Sequence, residues 1–542
     1  MRLVQRTNRM VFLCLIVSIS MKVVLLRMDA LPFNSDEAIV GLMARHILAG
    51  SRPSFFYGQA YMGSLDAFFV AAGFRLFGSE VWVIRSIQII LYLGTIITTV
   101  IMGKVILGST KTGLLAACLL AVPTVNMTLY TTVSLGGYGE ALLAGNLILL
   151  IGYYIAEDID AHEMVFNQPL LMRKFKWIFV WGVAAGLGFW SNGITLVYSL
   201  PVGVLIIYYI MRLGRRNRYR WAVSLVLICG LGFILGSLPW WINVIQQGWQ
   251  MLFAELLGSA VAVEGGTYVE NVATHLFSLV VLGGSAVIGI RPPWEVRWLV
   301  FPLIPFDLAF WIGVGLFSVR RIWTRRTLLK SYGLLIGVIG LVCVGFVFTS
   351  FGADPSGRYF LPVMVPLSLF AGEMVRSIYK KVRWQYGIIG FIMIYNLLGT
   401  IQCGSNYPGL TTQFDSQTII DHRFDSDLIE FLTAQGELRG YTNYWVSYPL
   451  AFLSDEELIF VPQLPYHQDL RYTMRDDRYA PYRDIVSKSD QTAFITSRTP
   501  LVDDQIRDSF RSLEIEWAEE KIGDYVIFYQ LSRKVVPMEL GF

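Results

Sequence analysis

Residues 83–103 read VIRSIQIILYLGTIITTVIMG, an apolar run whose one charge, Arg85, stands at its start. A helix of about 20 such residues crosses the hydrocarbon of a bilayer, so this stretch is expected to span a membrane. Working outward from it, comparable runs fall near 10–26, 112–125, 140–156, 177–192, 194–212, 221–241, 300–319, 331–350, 360–376 and 385–402, about eleven spans in all. Composition agrees. The 542 residues are 54% hydrophobic and only 15% charged, whereas a soluble protein carries roughly 25% charged residues. The expected class is an α-helical polytopic membrane protein. The net charge of +4 is small and gathered in clusters between apolar runs, which argues for topology and against a nucleic-acid partner.

Those clusters set the orientation. Arg2/Arg6/Arg9, Lys104/Lys111, Arg173/Lys174/Lys176, Arg212–Arg220, RRIWTRR from Arg320 to Arg326 and RSIYKKVR from Arg376 to Arg383 all fall on one side if the spans alternate. Basic residues favour the cytoplasmic side, so the N-terminus is expected inside and the C-terminus outside. The first run ends in Arg27, Met28 and Asp29 without a small-residue cleavage pattern, which reads as a retained signal-anchor helix. Counting 271–290 as a span would place the RRIWTRR cluster outside, so that segment is expected to be re-entrant or interfacial.

Three long pieces then lie outside: 27–82, 243–299 and the tail 403–542. The expected division is a membrane domain over 1–402, whose first external loop is 27–82, and an extracytoplasmic α/β domain over 403–542. In the tail, helix-like DSDLIEFLTAQG, strand-like ELIFVP and TAFIT, helix-like VDDQIRDSFRSL and strand-like DYVIFYQL alternate, which suggests a partly parallel sheet. Cys14, Cys118, Cys229 and Cys343 lie in apolar runs and Cys403 stands alone, so neither a disulfide framework nor a zinc spacing can be drawn.

The chemistry is sought outside. The first loop opens with FNSDEAIVGLMARHILAG, where Asn34 or Ser35 can cap a helix whose first turn holds Asp36 and Glu37. Its apolar face is expected to lie at the membrane surface. The two acids can be read as complementing the helix dipole, or as presenting Asp36 as a general base. In SLGGYGEALLAGN, Glu140 follows a glycine-rich turn at the outer end of the fourth span; an ionisable group at that depth is costly and is a second catalytic candidate. Its bland reading is a hydrated helix-start carboxylate. Arg358, in FGADPSGRYFLPVMVPL at the outer start of a span, suits a phosphate through its planar fork, against the alternative of a snorkelling anchor. Arg291 and Arg297 are weaker external cations.

The first loop continues SRPSFFYGQAYMGSLDAFFVAAGFRLFGSEVWVIR. An Asp-Glu pair shortly after the first span, then a helix, a Tyr/Gly segment, LFG and a basic residue opening the second span resemble the C-type (GT-C) membrane glycosyltransferases, above all the protein O-mannosyltransferase and aminoarabinose transferase branches. The tail is not covered by the resemblance. It implies inverting transfer of a sugar from a polyprenyl-phosphate donor to a lipid, glycan or protein acceptor on the non-cytoplasmic face of what is expected to be the plasma membrane. Asp36 matches the family's Asp and would act as base; Glu37 matches the second acid. Arg358 and Tyr359 resemble the family's RY element at the lipid phosphate, and Tyr61 and Tyr138 join them as candidate substrate contacts. Gly63, Ser64 and Leu65 stand where a Lys-Pro-Pro-like element belongs, a departure that bears on the branch and the acceptor.

Trp240 and Trp241 in GSLPWWIN are expected in an interfacial aromatic belt. His46, His162, His275, His422 and His467 form no pair with metal-ligand spacing; a divalent cation shared by Asp36 and Glu140 is compatible with their hard oxygen ligands. The aromatic stretches YTNYWVSYPLAFLSDEE and RYTMRDDRYAPYRD suit carbohydrate or domain packing equally. The rival readings are a transporter or lipid flippase, which calls for charged or broken helices at the midplane, and a scaffold, for which one anchoring helix suffices.

Overall fold

The computed structural model describes residues 2–161, 168–212, 215–250, 265–324, 329–354, 356–415, 417–467 and 469–542. Arg325, Arg326, His162 and the middle of the expected external stretch 243–299 lie outside these. The chain divides into two compact units. One holds Met1–Ala30, Tyr61–Asp66 and Arg85–Leu410; the other holds Leu31–Ala60, Ala67–Ile84 and Thr411–Phe542. Most of the first loop therefore packs with the tail, a division different from the expected 1–402 and 403–542.

Among the described residues, eight helices of the first unit are long and apolar enough to cross a membrane, or nine if a bent pair is one span. They are Gln5–Arg27, Val81–Val105, Tyr138–Glu157, Gly193–Arg212, Phe301–Thr324, Ser331–Phe348, Arg358–Ile378 and Val382–Gly404. The chain is thus an integral, polytopic α-helical membrane protein. Among the eleven expected runs, the helix at 112–125 runs only from Thr110 to Ala121. Its 12 residues rise about 18 Å, short of a hydrocarbon core of about 30 Å. The expected span 177–192 is the apolar half of helix Gln168–Ser191, whose first half carries the basic residues of 173–176. The run 221–241 becomes the pair Ala222–Gly236 and Leu238–Gln246, bent by 75°. The bend has a cause in sequence: Pro239 has no N–H for the helix ladder, and the Ser237 hydroxyl donates to the Phe233 carbonyl at 2.6 Å. Just beyond it, Trp240 is buried against Phe189 with ring centroids 5.4 Å apart, so it packs inside and is no belt residue. The segment 271–290 forms helix Tyr268–Phe277, a π turn at Ser278–Gly283 and a short helix Gly284–Val287.

Burial sorts the spans. The apolar window of Arg358–Ile378 is 78% buried while that of Phe301–Thr324 is 17% buried, which puts the former inside the bundle and the latter at its rim. Helices Gln168–Ser191 and Arg215–Gly236 are held by glycines spaced four apart on each. A Cβ at Gly182 or Gly186 would run into the carbonyls of Cys229 and Phe233, and one at Gly232 or Gly236 into those of Phe179 and Val183. Small residues at this spacing let two backbones approach in a bilayer, where packing replaces the hydrophobic effect as the force between helices.

In the second unit, DSDLIEFLTAQG forms helix Asp425–Gln435, ended by Gly436 in the left-handed conformation at φ 74°. ELIFVP supplies strand Ile459–Pro462, TAFIT strand Ala493–Ser497, VDDQIRDSFRSL helix Pro500–Ser512 and DYVIFYQL strand Tyr525–Tyr529. With Arg439–Thr442 and Ala518–Ile522 they make a five-stranded sheet. Arg439–Thr442 pairs in parallel with Ile459–Pro462 and Ala493–Ser497, while Tyr525–Tyr529 is antiparallel to both its neighbours. Its core gathers Leu428, Leu432, Leu450, Phe460, Ile495 and Ile527.

Candidate active site

In the unit containing the tail, Asn34 caps helix Ser35–Leu48, its side chain accepting the Glu37 N–H at 3.0 Å. This helix is not the interfacial one its pattern suggested: Ser35, Glu37, Ile39, Leu42, Met43 and Ile47 are all buried, on every side of it. The physical reason is helix Tyr444–Leu453 in the tail. Ser35 donates to the Tyr444 carbonyl at 2.6 Å, Arg45 lies over the Phe452 ring at 4.1 Å, and Gly41 leaves room for that ring, which a Cβ would strike. Glu37 is fully buried. Asp36 is partly exposed and accepts the Tyr444 hydroxyl at 2.5 Å. Burial, and after it the charge of Asp36, pushes the Tyr444 hydroxyl far above the usual phenol range, so it remains a donor. Asp476, whose field also reaches Asp36, is pushed up to about 6 by burial, which outweighs the pull of Arg478. Farther along the same helix, His46 hydrogen-bonds Tyr57 at 2.8 Å and Glu456 at 3.0 Å and stacks on Tyr479.

In the membrane unit a second acidic centre forms around the turn before helix Tyr138–Ala161. Gly136 and Gly137 take φ of 81° and 95°, a region costly for side chains, and a Cβ at Gly137 would meet the Ser191 carbonyl at 2.9 Å. The turn delivers Ser134 and Glu140 to Asp66. The Asp66 carboxylate accepts Gln88 Nε2 at 2.8 Å and the Ser134 hydroxyl. Glu140 lies beside it, with both its carboxylate oxygens buried. Behind the turn, Lys22 of the first span is buried and donates to Thr131 and Thr132.

Arg358 begins the helix that sits deepest in the bundle. Its Nε meets Asp354 at 2.5 Å, its Nη2 donates to the Tyr359 hydroxyl at 3.3 Å, and its charge reaches Tyr138. Tyr61, Tyr138 and Tyr359 line a mostly apolar cavity of about 230 Å³, with Phe189, Asn192 and Phe346 farther along its wall. Three of the four candidate substrate residues therefore meet at one mostly apolar cavity, and Arg358 is joined to it through the Tyr359 hydroxyl. Tyr61 is set there by the strand Gln59–Gly63, whose Met62 bridges to Asn192 and whose Gly63 passes too close to the Trp190 carbonyl for any Cβ.

No family model matches the sequence, and no curated protein does. Solved structures do. ArnT from Cupriavidus metallidurans bound to undecaprenyl phosphate aligns over 96% of this chain and 97% of its own, at 12% identity and a TM-score of 0.58. Its apo state aligns over 97% and 98%, with the same identity and score. The archaeal oligosaccharyltransferase AglB from Archaeoglobus fulgidus, in complex with an inhibitory peptide and a dolichol-phosphate, aligns over 91% of this chain and 69% of its own, at 11% identity and a TM-score of 0.50. This chain has the fold of the C-type membrane glycosyltransferases.

Within the C-type fold, sequence reading missed Asp66. It stands immediately after Gly63-Ser64-Leu65, where the loop departs from the family pattern, and in the first turn of helix Leu65–Phe77; a lone carboxylate at that point was the available signal. Ligand chemistry left open a divalent cation shared by Asp36 and Glu140. Among the described residues no group of three or more His, Cys, Asp or Glu is placed to hold a metal ion, and the carboxylate beside Glu140 is Asp66.

Two carboxyl groups side by side and out of water resist joint ionisation. Glu140→Gln keeps the shape and removes the conflict. It is expected to raise the melting temperature by a few degrees while lowering any turnover that uses the carboxylate, read by a thermal melt and a transfer assay on the same preparation. A lower melting temperature would show instead that the Glu140 charge is compensated in the fold.

Proposed function

We propose that the protein transfers a sugar from a polyprenyl-phosphate donor to a hydroxyl-bearing acceptor, on the non-cytoplasmic face of a plasma membrane, with inversion at the anomeric carbon. The observation that carries this reading is the chamber itself: an apolar cavity among membrane helices, lined by Tyr61, Tyr138 and Tyr359 with Arg358 hydrogen-bonded to Tyr359, suits a prenyl chain followed by a phosphate. A guanidinium already facing Asp354 through Nε and Tyr359 through Nη2 still has Nη1 to offer a phosphate oxygen. The C-type fold and the polyprenyl phosphates bound by the two neighbours support the same donor class.

In this reading Asp36 takes the proton from the acceptor hydroxyl while that oxygen bonds to the anomeric carbon. The anomeric bond to the phosphate oxygen breaks, and the polyprenyl phosphate leaves with the electron pair. The same reading puts the loop that carries Asp36 and the start of helix Arg358–Ile378 outside and the N-terminus in the cytoplasm, as the basic clusters favour.

The test is incubation of the purified full-length protein with a panel of radiolabelled polyprenyl-phosphate sugars and membrane acceptors. Label appearing in an acceptor, with release of polyprenyl phosphate, is the expected result. No transfer from any donor would remove the reading and make substrate flux across vesicles the next measurement.

A further inference from the structure

We infer that Tyr444, in the C-terminal tail, is a positioning residue for the Asp36 carboxylate, so that the tail takes part in the reaction. The inference rests on the glycosyl-transfer reading and extends it to a part of the chain that the sequence resemblance did not cover.

Tyr444 is held from several directions and has little choice in where its hydroxyl goes. It opens helix Tyr444–Leu453, whose N-cap Asn443 accepts the Trp445 N–H at 3.0 Å and donates to the Ser497 hydroxyl at 2.8 Å, fixing the helix start to the end of a core strand. Its carbonyl receives the Ser35 hydroxyl at 2.6 Å. Its ring lies edge-on to Trp445 and Tyr448, at 4.9 and 5.6 Å, with the Arg478 guanidinium 5.4 Å above. The residue is 3% exposed, and the hydroxyl emerges from this packing only to meet Asp36 Oδ1.

A short bond from a neutral donor to a carboxylate does two things. It fixes the plane of the carboxylate, and it takes up Oδ1, so that Oδ2 is the oxygen turned to the acceptor proton. A base needs to be aimed before it can work, and Tyr444 supplies that from 408 positions away. Asp36 sits in a helix secured by Asn34, Phe452 and Arg45, so removing the hydroxyl alone leaves the surrounding fold in place.

The experiment compares kcat and KM of the wild-type chain, Tyr444→Phe and Asp36→Asn, using the donor that the panel finds active and counting donor-binding sites in each preparation. Tyr444→Phe is expected to lower kcat per donor-binding site about tenfold with KM for the donor unchanged, because Asp36 loses the hydrogen bond that aims it. Misfolded protein binds no donor and drops out of the count, so partial misfolding cannot imitate the loss. An unchanged kcat per site, or a change in KM alone, overturns the assignment while leaving the transfer reading standing. Absence of transfer by the wild-type chain removes both.

Discussion

Asp36→Asn is expected to lower sugar transfer by about 10²- to 10⁴-fold, the usual contribution of a positioned general base. The substitution is nearly isosteric, and what makes it informative is that the architecture around it does not depend on the charge. Helix Ser35–Leu48 is capped by Asn34, its next side chain Glu37 is buried, and Asn at 36 still offers an oxygen to the Tyr444 hydroxyl. An unchanged melting temperature with transfer at background would assign the base. Full activity would send the search for the base to Glu37 and Glu140, both buried.

The second large effect is expected at Arg358, where two substitutions separate charge from shape. Arg358→Leu leaves Asp354, a carboxylate 3% exposed, facing an apolar side chain. Removing one partner of such a pair costs about 3–5 kcal/mol, enough to deplete folded protein in the membrane. Arg358→Lys keeps the charge opposite Asp354 but loses the fork. It is expected to fold, and to raise KM for the polyprenyl-phosphate donor about 10- to 100-fold with kcat nearly unchanged, the loss of one charge-assisted hydrogen bond. Detergent-extracted yield and melting temperature read the first variant, and donor titration the second. Equal KM for Lys and wild type would mean that the guanidinium serves Asp354 and Tyr359 alone.

How much of this could be read beforehand differs between the two units. Apolar runs report bilayer-spanning helices directly, so the membrane class and most spans were legible. At Thr110–Ala121 an apolar pattern continues through Val122 and Pro123 although the helix stops. Periodicity misled at Ser35–Leu48 for a related reason. An apolar stripe with polar residues opposite looks the same whether lipid or protein covers it, and here the tail's Tyr444 and Phe452 do. Asp36, Arg358 and the tyrosines carried motif signals. Asp66 offered only a lone carboxylate and Tyr444 nothing, because each is held by a neighbour distant in sequence, Ser134 and Gln88 for the one and Asp36 for the other. Pairings of that kind follow from topology, which local pattern does not report.

The 408 residues between Asp36 and Tyr444 also set an order of events during synthesis. At about 5–20 residues per second, a ribosome needs roughly 20–80 s to make the partner of a base it has already released. Throughout that interval helix Ser35–Leu48 has left the exit tunnel with its apolar positions uncovered, a client for whatever shields nascent segments outside the bilayer. A chain halted before residue 444 would carry Asp36 without the hydroxyl that it accepts in the finished fold.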